Sequence, residues 1–129
     1  MSATNAVENS VLESVLHTGG TLYISLHTAS PGDTGNQATS EATYTGYARV
    51  AISGNSTDLP VASGAAANSS TITFGKATAG TETITHVGIG TASTGTGSLI
   101  LSNPLSSSLS ITAGVTPLFE VGGFEVTCD

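Results

Sequence analysis

The chain is nearly without positive charge: Arg49 and Lys76 are the only bases among 129 residues, against nine acids and a net charge of -7. Nucleic-acid binding needs clustered Lys and Arg to displace phosphate counterions, so that function class is excluded. The same shortage disfavours anionic membrane surfaces. No apolar run approaches membrane-spanning length. The first residues lack the basic and apolar regions of a signal peptide, which leads us to expect synthesis in a cytoplasm. There is one cysteine, Cys128, so no internal disulfide can form and no oxidising compartment is needed. Tryptophan is absent and only three Tyr and three Phe occur. Sugar-binding β-sandwiches stack ligands on exposed aromatics, and this chain has few to offer.

What is present suits a single folded domain over residues 1–129, with hydrophobic residues at 38%. Charged residues make up only 9%, against roughly 25% in soluble domains. Ser and Thr fill the gap, at 39 of the 129 positions. A surface of hydroxyls and small side chains can pack against other protein with few charges to desolvate. The alternative is a solvated, hydroxyl-rich β surface with no partner.

Residues 1–20 form an N-terminal helical segment. Val7, Val11, Leu12, Val15 and Leu16 recur at helical spacing as one apolar stripe, to be buried on the domain's own sheet or on a neighbouring subunit. Asn5 with Glu8 resembles a capping box, and Gly19-Gly20 supplies a stop. Glu8, Asn9, Glu13 and Ser14 fall on the opposite face.

Residues 21–129 read as strands and turns. Leu22, Ile24 and Leu26 alternate with Tyr23, Ser25 and His27, as in a half-buried strand. Further strands are expected over 47–52, 71–74, 83–90, 98–101, 109–112, 116–121 and 124–128, with long loops over 29–46 and 53–69. About seven or eight short strands at this spacing define a mainly β fold. The expected architecture is a β-sandwich or jelly-roll-like antiparallel barrel with one N-terminal α-helix.

Catalytic and metal motifs are missing. His17, His27 and His86 stand in no metal-ligand spacing. His27 ends a strand and reads as a side chain bonded to loop backbone. There is no nucleophile elbow, no phosphate-binding glycine loop and no paired carboxylates. Asp33, Asn36, Gln37 and Glu41 crowd oxygen atoms into one loop, a composition that calcium favours, but the spacing is not that of an EF-hand and ordinary turn chemistry explains it equally well. The expectation is a non-enzyme without metal or cofactor.

The segment from Leu22 through Leu26-His27-Thr28, Pro31-Gly32-Asp33, Glu41 and Tyr44-Thr-Gly-Tyr-Ala-Arg49 resembles a family of small tailed-bacteriophage virion proteins. Ile72-Thr-Phe74, Ile84 to Ala92, Gly97 to Ser102 and Thr112-Ala-Gly114 extend the likeness over most of the chain after residue 20. Members of that family look like capsid decoration (cement) proteins or tail-fibre-like proteins. The resemblance implies a decoration protein on the capsid surface of the virion, made in the host cytoplasm. It would bind the major capsid protein and form a homo-oligomer, with a trimer favoured. A tail-fibre or adaptor module is the alternative. Tyr and Arg are the residue types that anchor interfaces, so Tyr44, Tyr47 and Arg49 join Val7, Val11 and Val15 as interface candidates. Local packing of Tyr47 and pairing of Arg49 with an acid such as Glu41 is the competing expectation. The 29–46 loop would serve as an arm laid across a neighbour.

Overall fold

The structure, a computed structural model, describes residues 3–128; Met1, Ser2 and Asp129 lie outside the described residues. Helix α1 spans Asn5–Leu16 and nine strands follow: β1 Thr21–His27, β2 Val50–Ser53, β3 Val61–Ala62, β4 Ala65–Ala67, β5 Ile72–Thr73, β6 Glu82–Gly90, β7 Leu99–Ile111, β8 Leu118–Phe119 and β9 Glu125–Thr127. The main sheet has the order β2-β1-β6-β7; smaller sheets pair β3-β4-β9 and β5-β8. All pairs are antiparallel. The fold is mainly β and sandwich-like, as the strand pattern implied. The barrel form is corrected, because the main sheet is open and ends in two edge strands.

One hydrophobic cluster joins the layers. Leu12 and Leu16 of α1, Leu22, Ile24 and Leu26 of β1, and Ile84, Val87 and Ile89 of β6 are buried in it. So are Phe124 and Val126 at the other end of the chain. β1 is central and covered on both faces, since Ser25 and His27 are also fully buried. Room for that second layer comes from β6: its Val87 and Ile89 face the core, while Gly88 and Gly90 alternate with them. A Cβ on Gly88 would come within 3.0 Å of both His27 Nε2 and Ser25 Oγ, and one on Gly90 would overlap the Gln37 side chain.

Several boundaries differ from the sequence reading for physical reasons. Thr4, not Asn5, caps α1, its Oγ1 accepting from the Val7 N–H at 3.4 Å. Glu8 is buried against Gly64 rather than exposed, and Asn9 Oδ1 accepts from Gly64 N at 2.8 Å. The 53–69 loop contains a two-residue hairpin between β3 and β4. Ser63 at φ 52° and Gly64 at φ 77° form its turn, a left-handed pair that matches strand twist. The two strands expected over 98–101 and 109–112 are one strand, β7, running through Pro104. Proline is tolerated there because β7 is an edge strand, where a missing N–H leaves no ladder partner short. Of the segment 116–121, only Leu118–Phe119 pairs as a strand.

Candidate functional site

The segment that carries the family likeness folds back onto its own sheet. β2 pairs with β1 only as far as Ile24. Beyond that point the 28–47 loop takes the place of a strand. Ala42 N donates to Leu26 O at 2.9 Å and Thr28 N to Ser40 O at 2.8 Å. The Leu26 N–H donates to Tyr47 Oη at 3.2 Å. The loop is therefore an internal brace in this chain, bonded along its length to its own sheet, with Gly32, Asp33 and Thr34 left exposed.

A charged knot holds the brace. Arg49 grips Glu41 with both edges of its fork, Nε to Oε2 at 2.7 Å and Nη2 to Oε1 at 2.8 Å. Its remaining donors reach Ala92 O at 2.9 Å and Gly95 O at 2.5 Å. The Arg49 side chain is 3% exposed and that of Glu41 16%. Tyr47 donates its hydroxyl to Glu41 Oε2 at 2.6 Å. Burial, and then this bond to a carboxylate, push the Tyr47 phenol well above the usual tyrosine range. The carboxylate bond likewise raises Arg49. Tyr44 donates to Gly75 O at 2.8 Å, and its burial raises its pKa.

Gln37, fully buried, clamps the same 91–97 turn. Its Oε1 accepts from Ala92 N at 2.9 Å and its Nε2 donates to Ala92 O at 3.1 Å. His27 anchors the other side. Its Nδ1 lies 2.8 Å from Thr39 O, and a carbonyl only accepts, so Nδ1 carries the proton. Nε2 then accepts from Ser25 Oγ at 2.7 Å. Burial holds the His27 pKa below the ordinary value, against the opposing pull of Thr39 O and Glu41. The neutral ring thus has both nitrogens satisfied, as expected for a histidine bonded to loop backbone. The Ser25–His27 pair has the contact of a nucleophile and base, yet both residues are 0% exposed and face the brace.

The oxygen-rich loop is dispersed by the same bonds. Glu41 serves Arg49 and Tyr47, Gln37 serves Ala92, and Asn36 Oδ1 accepts from Ala38 N at 2.8 Å. Among the described residues, no group of three or more His, Cys, Asp or Glu side chains converges.

The interface candidates divide sharply. Tyr44, at 4% exposure, Tyr47 and Arg49 are turned inward. This corrects their expected role as surface anchors: each polar tip has its partner inside the chain. Val15 packs partly against the core. Val7 and Val11, at 53% and 43% exposure, stand clear of it, because α1 buries the row Glu8, Leu12 and Leu16 instead.

Two braces escaped the sequence reading. Glu82 Oε1 accepts from the N–H groups of Thr43 and Tyr44, at 2.9 and 3.0 Å. Asn68, 2% exposed, donates to Ser70 O and Glu120 O and accepts from Phe124 N at 3.0 Å. No local pattern marks either residue, since their partners lie up to 56 positions away.

These features define a β-rich structural module whose few large polar side chains hold its own loop in place. A family model described as Podophage GP4 fiber I protein gp80 matches residues 2–127, and the chain belongs to that family. It is a structural protein of the tailed-phage virion. No curated protein matches it.

Proposed function

We propose that the chain is a building block of a virion fibre or of the adaptor that mounts one. The observation that carries this reading is the match of residues 2–127 to a model described as a fibre protein. The surface chemistry supports it. A hydroxyl-rich exterior, with Arg49 turned inward and Lys76 the one other base, can lie against neighbouring protein with little desolvation. Val7 and Val11 offer an apolar helix face to such a neighbour. The protein acts by packing rather than by catalysis, without cofactor, nucleic acid or membrane. Its copies associate as a homo-oligomer, with a trimer the preferred state, so that repeated weak contacts act together.

Capsid decoration, with the major capsid protein as partner, is the rival that the resemblance first put ahead. Quantitative mass spectrometry of purified particles decides between them. Decoration repeats over a symmetric shell and requires on the order of hundreds of copies, whereas a fibre or adaptor requires far fewer. A count in the hundreds refutes the fibre reading.

A further inference from the structure

β7 is hydrogen-bonded to β6 on one side and forms the edge of the main sheet. Edge strands are normally blunted by charge, especially Lys. The thirteen residues Leu99–Ile111 contain no charged side chain. Pro104 and the bulge that sets Leu105–Ser108 opposite the single residue Thr85 interrupt the ladder. A second register shift, between Ile89 and Gly90, leaves Ile100 without a partner, so the regular uncharged edge here is Leu101–Asn103.

Beside this edge lies an open groove of about 460 Å³. Val87, Pro104, Leu105, Leu109, Leu118 and Phe119 supply the apolar half of its lining, and polar groups that include Glu125 the other half. Leu118 is 49% exposed and Val121, three residues on, 65%. Acids frame the region. Glu125 lines the groove, Glu120 is exposed nearby in sequence, and Asp33 lines a smaller hollow against Leu99–Ser102. Residues 77–129 contain no Lys or Arg to answer them.

We propose that this edge and groove receive an extended apolar segment, bearing Lys or Arg, from a different virion protein. The inference rests on the virion assignment. Main-chain bonds would run along Leu101–Asn103, alternate side chains would enter the groove that begins at Asn103, and the bases would meet Asp33, Glu120 and Glu125. A second copy is a poor occupant on charge. It brings another -7, its Arg49 is engaged by Glu41, and Lys76 is its one remaining base.

The test uses phage particles carrying the full chain with a photo-crosslinking amino acid in place of Val121. Mass spectrometry should map the adduct to another virion protein, in a segment containing Lys or Arg. Neutralising the acids together (Asp33→Asn, Glu120→Gln, Glu125→Gln) should leave the urea midpoint unchanged and lower incorporation into particles at least about 10-fold. Adducts to a second copy, no adduct from particles that contain the chain, or normal incorporation of the triple variant would each overturn the inference. Absence of the chain from particles would instead overturn the virion assignment on which it stands.

Discussion

Replacing Arg49 with Ala separates an internal brace from a surface anchor. The substitution removes both bonds to Glu41 and those to Ala92 O and Gly95 O. It leaves the Glu41 carboxylate, 16% exposed, facing only the Tyr47 hydroxyl. Breaking a buried pair by removing one partner costs about 3–5 kcal/mol, because the remaining charge is left unmatched. A domain of this size has about 5–15 kcal/mol of total stability. At about 3–5 °C per kcal/mol, the melting temperature should fall by about 10–20 °C. Arg49→Lys keeps the charge but not the two-pronged geometry and should fall between the two. Urea unfolding of the isolated protein, followed by far-UV circular dichroism and tyrosine fluorescence, measures the loss. A surface anchor would behave otherwise: its removal would change stability by no more than about 0.5 kcal/mol. An Arg49→Ala midpoint within that margin of wild type refutes the brace.

Three further outcomes follow from the same geometry. Gly90→Ala should destabilise by about 1–3 kcal/mol, since the added methyl overlaps buried Gln37; Gln37→Ala in the same background should recover part of the loss in urea melts, and simple additivity would contradict this. His27 has a lowered pKa in the folded chain and 6.5 as its ordinary value, so its contribution is fully present above pH 6.5 and is lost as pH falls below that toward the lower folded value. Its slope is at most about 1.36 kcal/mol per pH unit, so between pH 7.5 and 5.5 wild type should lose more stability than His27→Gln, and equal losses would remove His27 as the cause. Val7→Ser with Val11→Ser should leave the monomer within about 0.5 kcal/mol of wild type yet weaken self-association in analytical ultracentrifugation, and unchanged association would clear that helix face of a contact role.

The central strands were legible because their chemistry is local. β1 and β6 alternate apolar residues with period two, and burial of Leu22, Ile24, Leu26, Val87 and Ile89 follows directly. The helix was legible as an element but its buried row was not. Five apolar positions span more than one face, and only the docking of Leu12 and Leu16 selects between them. The hairpin at Ser63-Gly64 was hidden in an Ala-rich stretch with little strand character of its own, held by pairing to β9 some sixty residues later. β7 was split because Pro104 reads as a breaker unless the strand is known to lie at an edge. The candidate site was legible in identity but not in direction. The sequence marked Tyr44, Tyr47 and Arg49 as unusual, and the pairing of Arg49 with Glu41 stood as one of two readings. That their tips face inward depends on β2 ending its pairing at Ile24.

The aromatic side chains have a consequence for how the chain reaches this state. Tyr44, Tyr47, Phe74, Phe119 and Phe124 contact one another in succession, with ring centroids 5.5, 6.3, 6.1 and 6.0 Å apart. The last ring belongs to the segment that places Val126 opposite Ala66. The stack therefore has no terminus until residue 124 has been synthesised, and the core stays open on the ribosome until then. Folding is consequently complete only once residue 124 is available, slowed by pairings between distant segments, and until then the uncharged β7 strand stands against an unfinished core.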